Sequence, residues 1–450
     1  MNNNIKNIIL SFALLLFATM SANANSIDNM VKNSDIGRSS TIAISVKNAD
    51  TGRTVYQYNE HKYLNPASIQ KVFTMKTAYD KLGADYIYNT RIYADNNGNL
   101  YIKLAGDPSF SKADLKSLVK TVKDKYKKPV NDIVIDASVF DNKQWGIGWM
   151  WDDDTNALLP KYSAYAIDEN KIDVTVKPGY NGNKPEVKTK SPYQITLVNF
   201  TTNGSADKLT LERLPWEFSD LTYIRGTVKS PQTIKLPVDS PQRFFAANVG
   251  DMFSNSGVKY SGYIKFAPMP NNVTLIAESK SEPLSNLIAN TLKNSNNFYS
   301  EMIFKTAGMQ ASKNNAATET AVKELYKIFN DIKADKPLIV DGCGISRNDL
   351  MTADWVTEAL NKIYKQKNSE DFIELMPKPV EGTLSDRLLD ISLNVRAKTG
   401  TASGISSIIG YITAKSGKKY SFAIIIQNYV RPTVQIKQLE DELIKEIYNS

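Results

Sequence analysis

The sequence predicts an α/β (α+β) fold in which an antiparallel sheet flanked by helices is interrupted by a large β-rich insertion. Helical and strand patterns occupy both ends of the mature chain, at residues 25–87 and 281–450. Between them, short runs of alternating apolar and polar residues, separated by turn-forming residues, dominate from residue 88 to about 280. We therefore expect the two ends of the chain to fold together as one domain around the insertion.

The first 24 residues predict a secretory signal peptide. Lys6 precedes an apolar stretch from Ile8 to Met20, and Ala22-Asn23-Ala24 matches the small-x-small pattern of a cleavage site. The apolar stretch is too short to cross a bilayer, although an uncleaved membrane anchor is the alternative. We therefore expect cleavage after Ala24 and export of the mature chain.

Composition excludes several classes of enzyme. The chain has one histidine, His61, and one cysteine, Cys343. A transition-metal site usually needs two or more such ligands, so we expect no metal and no other cofactor, and no intrachain disulfide can form. His61 lies close before Ser68 and outside any G-x-S-x-G motif, so a serine enzyme here would need a base other than histidine. The net charge of +8, without a basic tract, argues against nucleic acid and favours an anionic polymer of the cell envelope.

The amino-terminal part of the mature chain predicts two strands followed by a buried helix. The strands are joined by a turn at Asn48–Gly52. Asn65 and Pro66 favour the start of the helix, and Gly83 ends it after Leu82. Apolar residues at helical spacing place this helix in the core, where its amino end would favour negative charge.

The rest of the chain completes the expected domain plan. Helices return after residue 283, and the chain closes with three strands in series, a turn at 415–418, and an amphipathic helix. The expected parts are a main domain at 25–87 plus 281–450, an inserted domain II at 88–170 plus 241–280, and a β-rich inserted domain III at 171–240.

Three short motifs occur in order along this chain. They are S-x-x-K at Ser68-Ile69-Gln70-Lys71, S-x-N at Ser295-Asn296-Asn297, and K-T-G at Lys398-Thr399-Gly400, followed by Thr401. Each motif is a weak signal alone, because S-x-x-K arises by chance in a lysine-rich chain. Together and in this order they are the signature of penicillin-binding proteins and class A β-lactamases.

The residue types suit nucleophilic catalysis. Positions three apart on a helix share one face, so Lys71 can reach the hydroxyl of Ser68 and act as its base if burial and Lys398 disfavour its charge. The alternative for Lys71 is an ordinary solvated helix residue. Ser295 can pass a proton toward the leaving amine, and the amide of Asn297 can hold a substrate amide; otherwise both belong to a polar turn between helices.

The K-T-G motif predicts an edge strand beside the nucleophile. Gly400 lets a ligand backbone approach closely, while the Thr399 hydroxyl and the Lys398 charge suit a terminal carboxylate. The backbone N–H groups of Ser68 and Thr401 would form the oxyanion hole. The alternative is an ordinary strand entering a hairpin.

The chain resembles a particular family of such enzymes. Ser68 and Ser295 are 227 residues apart (295 − 68), which exceeds the spacing found in β-lactamases. Further matching stretches are LAGDPSF, GWMWDD, YSAYAIDENKIDVTVKPG, VDGCGISRNDL and PVEGTLSDRL. They resemble the class C low-molecular-mass penicillin-binding proteins, the D-alanyl-D-alanine carboxypeptidase/endopeptidases of the penicillin-binding protein 4 type. The resemblance covers nearly the whole mature chain and implies that the main domain is a transpeptidase/β-lactamase-like catalytic domain.

The resemblance implies a periplasmic serine DD-peptidase. Ser68 would attack the penultimate D-Ala of peptidoglycan stem peptides, releasing the terminal D-Ala, and the same route would cleave D-Ala–diaminopimelate crosslinks. β-Lactam antibiotics would acylate Ser68 covalently. The balance between carboxypeptidase and endopeptidase activity, the oligomeric state and any membrane association stay open.

Further residues are assigned through the resemblance alone. In the family an acidic residue of the insertion and an arginine grip the diaminopimelate side chain, and the matching positions are Asp153 and Arg347, with Ser403 nearby. Asp152 and Asp154 are alternatives to Asp153, as is a solvated acidic turn. The chain departs from the family at Cys343, where serine is usual in D-G-S-G, and a small buried residue in a tight turn is the favoured interpretation.

Two other functions are alternatives to the DD-peptidase. A β-lactamase or esterase on the same fold would have no evident use for the inserted block of residues 88–280. A non-catalytic peptidoglycan-binding protein would be expected to have lost at least one residue of the motif set, which is intact.

Overall fold

The computed structural model describes residues 26–214, 221–309 and 316–450, so the predicted signal peptide lies outside the described residues. The chain divides into two compact units. Among the described residues, the first unit comprises 26–76, 288–295 and 325–450, and the second comprises 77–214, 221–287, 296–309 and 316–324. The boundaries of the three expected domains stay a prediction.

Helices and strands follow one another along the chain in the expected mixture. The helices are α1 (Asp35–Ser39), α2 (Lys71–Leu82), α3 (Lys112–Lys125), α4 (Pro241–Ser256), α5 (Leu284–Asn294), α6 (Asn297–Met309), α7 (Thr318–Ile328), α8 (Ala353–Tyr364), α9 (Ser369–Ile373) and α10 (Thr433–Tyr448). The strands are β1 (Thr41–Asn48), β2 (Thr54–Tyr58), β3 (Asn89–Ala94), β4 (Leu100–Lys103), β5 (Ile133–Asp136), β6 (Lys171–Lys177), β7 (Glu186–Thr189), β8 (Thr196–Asn203), β9 (Lys208–Glu212), β10 (Leu221–Val228), β11 (Gln232–Pro237), β12 (Ile264–Phe266), β13 (Thr274–Lys280), β14 (Val395–Ala402), β15 (Ile405–Thr413) and β16 (Lys419–Gln427).

The first unit is organised by an antiparallel sheet in the order β14-β15-β16-β1-β2. Strands β15 and β16 are buried along almost their whole length, and each contains an apolar run, at 408–412 and 422–426, rather than an alternating pattern. The terminal helix α10 packs its apolar stripe, including Ile436, Leu443 and Ile447, into the core cluster that contains the sheet residues. The amphipathic pattern of this helix is therefore explained by packing within the unit.

Strand β14 lies at the edge of this sheet and carries the K-T-G motif. It pairs antiparallel with β15, so that Lys398 is opposite Ile409, Thr399 opposite Ile408 and Gly400 opposite Ser407. The motif therefore occupies a strand with one open side, where a ligand backbone can be added.

The second unit contains a mixed sheet in the order β12-β5-β4-β3-β13 and two smaller sheets, β11-β6-β7 and β8-β10-β9. Helices α3 and α4 contribute to the same core cluster as these strands, through residues such as Leu118 and Phe245. Both helices lie in a region whose sequence pattern predicts mainly short strands. In the part of the chain that the structure describes, no helix is long and apolar enough to cross a membrane.

Candidate active site

The S-x-x-K motif begins on a strained turn. Ala67 has a φ of 48°, in the left-handed region that alanine rarely adopts, and its N–H donates to Asn65 Oδ1 at 3.0 Å. The side-chain amide of Asn65 donates in turn to the carbonyl oxygens of Ser346 and Asp349, at 2.7 and 3.1 Å. Asn65 therefore holds the turn that presents Ser68, rather than only capping a regular helix.

Ser68 and Lys71 meet because this segment is a 3-10 turn, Ala67–Gln70, that leads into α2. In a 3-10 turn the side chains of residues three apart lie directly above one another. Lys71 Nζ is accordingly 2.8 Å from Ser68 Oγ, and it also lies 2.8 Å from the carbonyl oxygen of Cys343. Lys71 is fully buried and Ser68 is 7% exposed. The amine is thus aimed at the hydroxyl by a backbone contact on its other side.

The backbone that contacts Lys71 is itself held by the carboxylate of Asp341. This carboxylate accepts four backbone N–H groups, those of Cys343, Gly344, Ile345 and Ser346, at 3.0, 2.6, 3.1 and 2.8 Å. It also accepts a hydrogen bond from the side-chain amide of Gln70, at 3.0 Å. A buried charge is tolerated when hydrogen bonds satisfy it, and these bonds order residues 341–346 against the nucleophile turn.

Cys343 acts through its backbone in this arrangement. Its side chain is fully buried, with Sγ 3.7 Å from a carboxylate oxygen of Asp341, while its carbonyl oxygen contacts Lys71. The neighbouring Gly344 has a φ of 82°, and a Cβ there would lie 2.0 Å from the carbonyl oxygen of Ala67. This geometry agrees with the interpretation of Cys343 as a small buried residue in a tight turn.

Lys398 provides a second buried amine. Its Nζ donates to Ser295 Oγ at 2.9 Å and to the carbonyl oxygen of Thr399 at 2.6 Å. Burial, with a further contribution from the charge of Lys71, holds the pKa of Lys398 well below its usual value. A single positive charge on the pair of amines is therefore favoured over a positive charge on each. Ser295 lies between α5 and α6 with a φ of 55°, so a turn residue in a left-handed conformation aims its hydroxyl at Lys398.

Gly400 brings the K-T-G strand against the nucleophile turn. A Cβ at this position would lie 2.9 Å from both the backbone nitrogen of Ser68 and the carbonyl oxygen of Pro66, closer than any real Cβ approaches. Ser407, opposite Gly400 on β15, donates its hydroxyl to the same Pro66 oxygen at 2.7 Å. Thr399 is buried, and Thr401 and Ser403 are exposed.

Comparison with known proteins decides the family. The chain matches the family described as D-Ala-D-Ala carboxypeptidase 3 (S13) over residues 23–445. The chain belongs to this family. It is 26% identical over 445 residues to the D-alanyl-D-alanine carboxypeptidase DacB of Haemophilus influenzae, covering 91% of each chain. It is also 26% identical over 424 residues to the D-alanyl-D-alanine carboxypeptidase of Actinomadura sp. (strain R39), covering 86% of this chain and 78% of that relative.

Solved structures of a relative confirm the predicted fold of this S13 peptidase. The crystal structure of penicillin binding protein 4 from Haemophilus influenzae has a TM-score of 0.85 at 23% identity, over 95% of this chain and 100% of that one. A structure of the same relative complexed with a β-lactam has a TM-score of 0.80 at 22% identity, over 94% and 99%. The predicted enzyme class, a serine DD-peptidase, is confirmed by the family.

The remaining predicted residues of the S13 peptidase lie in different units. Asn297 opens α6 in the second unit, where its side-chain amide donates to the carbonyl oxygen of Leu158 at 3.0 Å. Arg347 and Ser403 are exposed residues of the first unit, whereas Asp153 belongs to the second. The roles given to these residues stay predictions.

The three consecutive aspartates are distinguished by their contacts. Asp154 forms ion pairs with Arg213 at 2.5 Å and with Lys161 at 3.1 Å. Asp152 is exposed, and Asp153 is half-buried and accepts the N–H of Met150 at 3.4 Å. Asp154 is therefore engaged within the second unit, and of the three aspartates Asp152 is the exposed one.

Two contributors to the site are absent from the sequence-based set. Asp341 orders the backbone beside Lys71, and Thr383 accepts a hydrogen bond from the Thr399 hydroxyl at 2.7 Å. Both lie in stretches that carry the family resemblance, VDGCGISRNDL and PVEGTLSDRL. Only the family resemblance of these stretches could have identified Asp341 and Thr383 from the sequence, because nothing in their local pattern indicates a contact with a distant motif.

Proposed function

We propose that Ser68 is the nucleophile of a DD-peptidase that removes the terminal D-Ala from peptidoglycan stem peptides or cleaves D-Ala–diaminopimelate crosslinks. The observation that carries this proposal is the 2.8 Å contact between Ser68 Oγ and the buried Nζ of Lys71. In a chain whose only histidine is exposed on the surface, this lysine is the base within reach of the hydroxyl.

The proposed reaction uses the two buried amines in turn. Lys71 takes the proton of Ser68 as the serine oxygen attacks the carbonyl carbon, and the N–H groups of Ser68 and Thr401 face the oxyanion that forms. Collapse breaks the C–N bond as Ser295 donates a proton to the leaving amine and takes one in its place from Lys398, whose Nζ donates to the Ser295 hydroxyl. Water then hydrolyses the acyl ester: the proton held by Lys71 returns to the Ser68 oxygen, and the proton released by the attacking water restores Lys398.

The substrate carboxylate would bind beside β14. Thr399 supplies a hydroxyl, and an anion near Lys398 favours the charged form of that amine against the cost of its burial. With Lys398 charged, repulsion favours a neutral Lys71, which is the form that can accept the proton. Binding of the anionic substrate terminus therefore favours the neutral form of Lys71, which can act as the base.

β-Lactam antibiotics are proposed to acylate the same serine. The relative solved in complex with a β-lactam supports this. The test is intact mass of the purified protein after addition of benzylpenicillin, followed over hours and mapped by peptide digestion. A lasting adduct on Ser68 that is absent from Ser68→Ala supports the proposal, while rapid drug hydrolysis without an adduct favours the β-lactamase alternative. Absence of both adduct and turnover would favour the binding-protein alternative.

We further propose that Asp153, Arg347 and Ser403 contact the diaminopimelate side chain. The exposure of Arg347 and Ser403 and the partial exposure of Asp153 support accessibility to a ligand. Asp153→Asn should raise KM for a diaminopimelate pentapeptide while leaving acylation by benzylpenicillin unchanged. An equal change with both would refute the assignment.

Location in the periplasm, with residues 1–24 removed, is also a proposal. The signal-peptide pattern and the family's action on cell-wall peptides support it. Amino-terminal sequencing of the exported protein should begin at Asn25.

A further inference from the structure

The segment of residues 381–387, here called the bracing segment, lies between two parts of the active site. On one side it packs against the end of α5, two residues before Ser295. Glu381 pairs with Lys293 Nζ at 3.1 Å, and a Cβ on Gly382 would lie 1.9 Å from the carbonyl oxygen of Lys293. The glycine, with a φ of 47°, allows this close approach.

On its other side the bracing segment contacts the K-T-G strand through Thr383. The Thr399 hydroxyl donates to Thr383 Oγ1 at 2.7 Å, and Thr399 is buried while Thr383 is half-buried. The segment therefore joins the end of the helix that leads to Ser295 with the strand that carries Lys398 and Thr399.

The carboxyl end of the bracing segment is fixed by Arg387. The guanidinium of this buried residue donates to Glu440 at 2.9 Å and to Asp441 at 2.7 Å, both on α10. Burial disfavours the charge on Arg387, but its pairing with Asp441 and Glu440 outweighs this and raises its pKa, so the anchor stays charged. Thr383 is thus held on a segment fixed at both ends, and its hydroxyl has a defined position.

We propose that Thr383 is a positioning residue for anion binding, which sets the direction of the Thr399 hydroxyl. This inference rests on the proposed function, in which Thr399 binds the substrate carboxylate. A hydroxyl has one proton and two lone pairs. When Thr399 donates to Thr383, its proton is not available to an anion. When a carboxylate arrives, Thr399 turns its proton to the anion and Thr383 donates its own proton to the freed lone pair of Thr399.

The exchange strengthens the hydrogen bond to the anion. Hydrogen bonds in a chain polarise one another, so a Thr399 hydroxyl that accepts from Thr383 is a better donor to the carboxylate. A valine at position 383 keeps the shape of the side chain but removes the hydroxyl. The loss should then be confined to ligands that carry the negative charge.

The test compares acylation by benzylpenicillin, which has a carboxylate, with acylation by its uncharged methyl ester. Intact mass gives the rate for the wild type, Thr383→Val, Thr383→Ser and Thr399→Val. Thr383→Val should slow acylation by benzylpenicillin roughly tenfold, the scale of one charge-assisted hydrogen bond, and leave the ester rate unchanged. Thr383→Ser should retain the wild-type preference for the charged drug.

The outcomes separate this inference from the proposed function. If Thr399→Val lowers the preference for the charged drug but Thr383→Val does not, the role of Thr383 is wrong and the carboxylate site stands. If neither variant changes the preference, the carboxylate assignment of Thr399 fails and the inference fails with it. An equal loss with both drugs would mean that Thr383 serves packing alone. If thermal melting shows that the valine variant does not fold, Thr383→Ala replaces it in the comparison of benzylpenicillin with its methyl ester, with the same expected outcomes.

Discussion

Two 3-10 turns, Ala67–Gln70 in the first unit and Trp151–Thr155 in the second, carry candidate site residues in opposite environments. Every residue of the first turn is buried, and none of the second is. Residues 341–346 contact the first turn, whereas in the second turn Asp154 forms ion pairs with Arg213 and Lys161. The direction of a buried group is determined by partners that cannot move independently. An exposed carboxylate remains solvated, so a neighbouring carboxylate can take its place with little change in the free energy of folding.

The largest expected effect comes from removing the amine of the buried turn. Lys71→Ala should lower the rate of acylation of Ser68 by about 10²–10⁴-fold, because general-base catalysis contributes on this scale. The measurement is the time course of benzylpenicillin adduct formation by intact mass, with folding checked by thermal melting. The exposed Lys62 provides a matched control, and Lys62→Ala should acylate at the wild-type rate. A normal rate in a folded Lys71→Ala protein would contradict the proposed base.

A second large effect is expected at the carboxylate that supports this turn. In Asp341→Asn, an NH₂ group would replace one carboxylate oxygen and face two backbone N–H donors, since each oxygen accepts two of the four. The free energy of unfolding should fall by roughly 3 kcal/mol, measured by urea denaturation. Acylation should slow as well, because the carbonyl of Cys343 that orients Lys71 belongs to this loop. Asp386→Asn, at an exposed position, should change neither quantity.

The same difference between buried and exposed positions explains what the sequence could predict of the site. Ser68 and Lys71 are close in sequence, and their contact follows from the local turn, so a short motif is enough to identify them. The contact between Thr399 and Thr383 spans sixteen residues, and that between Lys71 and the Cys343 carbonyl spans 272. Such contacts depend on how separate elements pack, and no local pattern encodes them. The contacts of Asp154 with Lys161 and Arg213, which distinguish it from Asp152, likewise join separate parts of the chain.

A helix or strand could be predicted from the sequence where a single hydrophobic pattern continues over most of its length. The apolar runs of β15 and β16 and the stripe of α10 are of this kind. Helices α3 and α4 were not predicted, although each starts with a serine whose side chain accepts a backbone N–H, Ser111 and Ser240. The capping serine that marks the start of each helix is a short sequence signal. Both helices are flanked by strands whose alternating pattern dominates the region.

An intermediate effect is expected from the anchored member of the acidic turn. Asp154→Asn would leave the buried guanidinium of Arg213 without its charged partner, so the free energy of unfolding should fall by about 2 kcal/mol. Asp152→Asn, the neighbouring exposed position, should stay within about 0.5 kcal/mol of the wild type. Urea denaturation of the two variants compares them directly. Equal stabilities would mean that the ion pair between Asp154 and Arg213 does not anchor the acidic turn.

The smallest effect is a dependence of stability on pH that arises from Lys398. Because burial lowers the pKa of this amine below its unfolded value, the unfolded chain binds more protons between those two values, and stability rises with pH across that window. Lys398→Met removes this contribution. The difference in free energy of unfolding, wild type minus variant, should therefore increase with pH. The slope should be at most about 1.4 kcal/mol per pH unit, up to the pKa of the lysine in the unfolded chain.

Urea denaturation at several alkaline pH values would measure that gain, with the exposed Lys415→Met as the matched control. Removal of an exposed lysine should leave the wild type and the variant with parallel pH dependences, because an exposed amine meets similar solvent in the folded and unfolded chains. Parallel curves for Lys398→Met as well would mean that Lys398 keeps its charge when buried. The preference of the two amines for a single shared charge would then be wrong, and with it the proposal that an anionic substrate prepares Lys71 as the base.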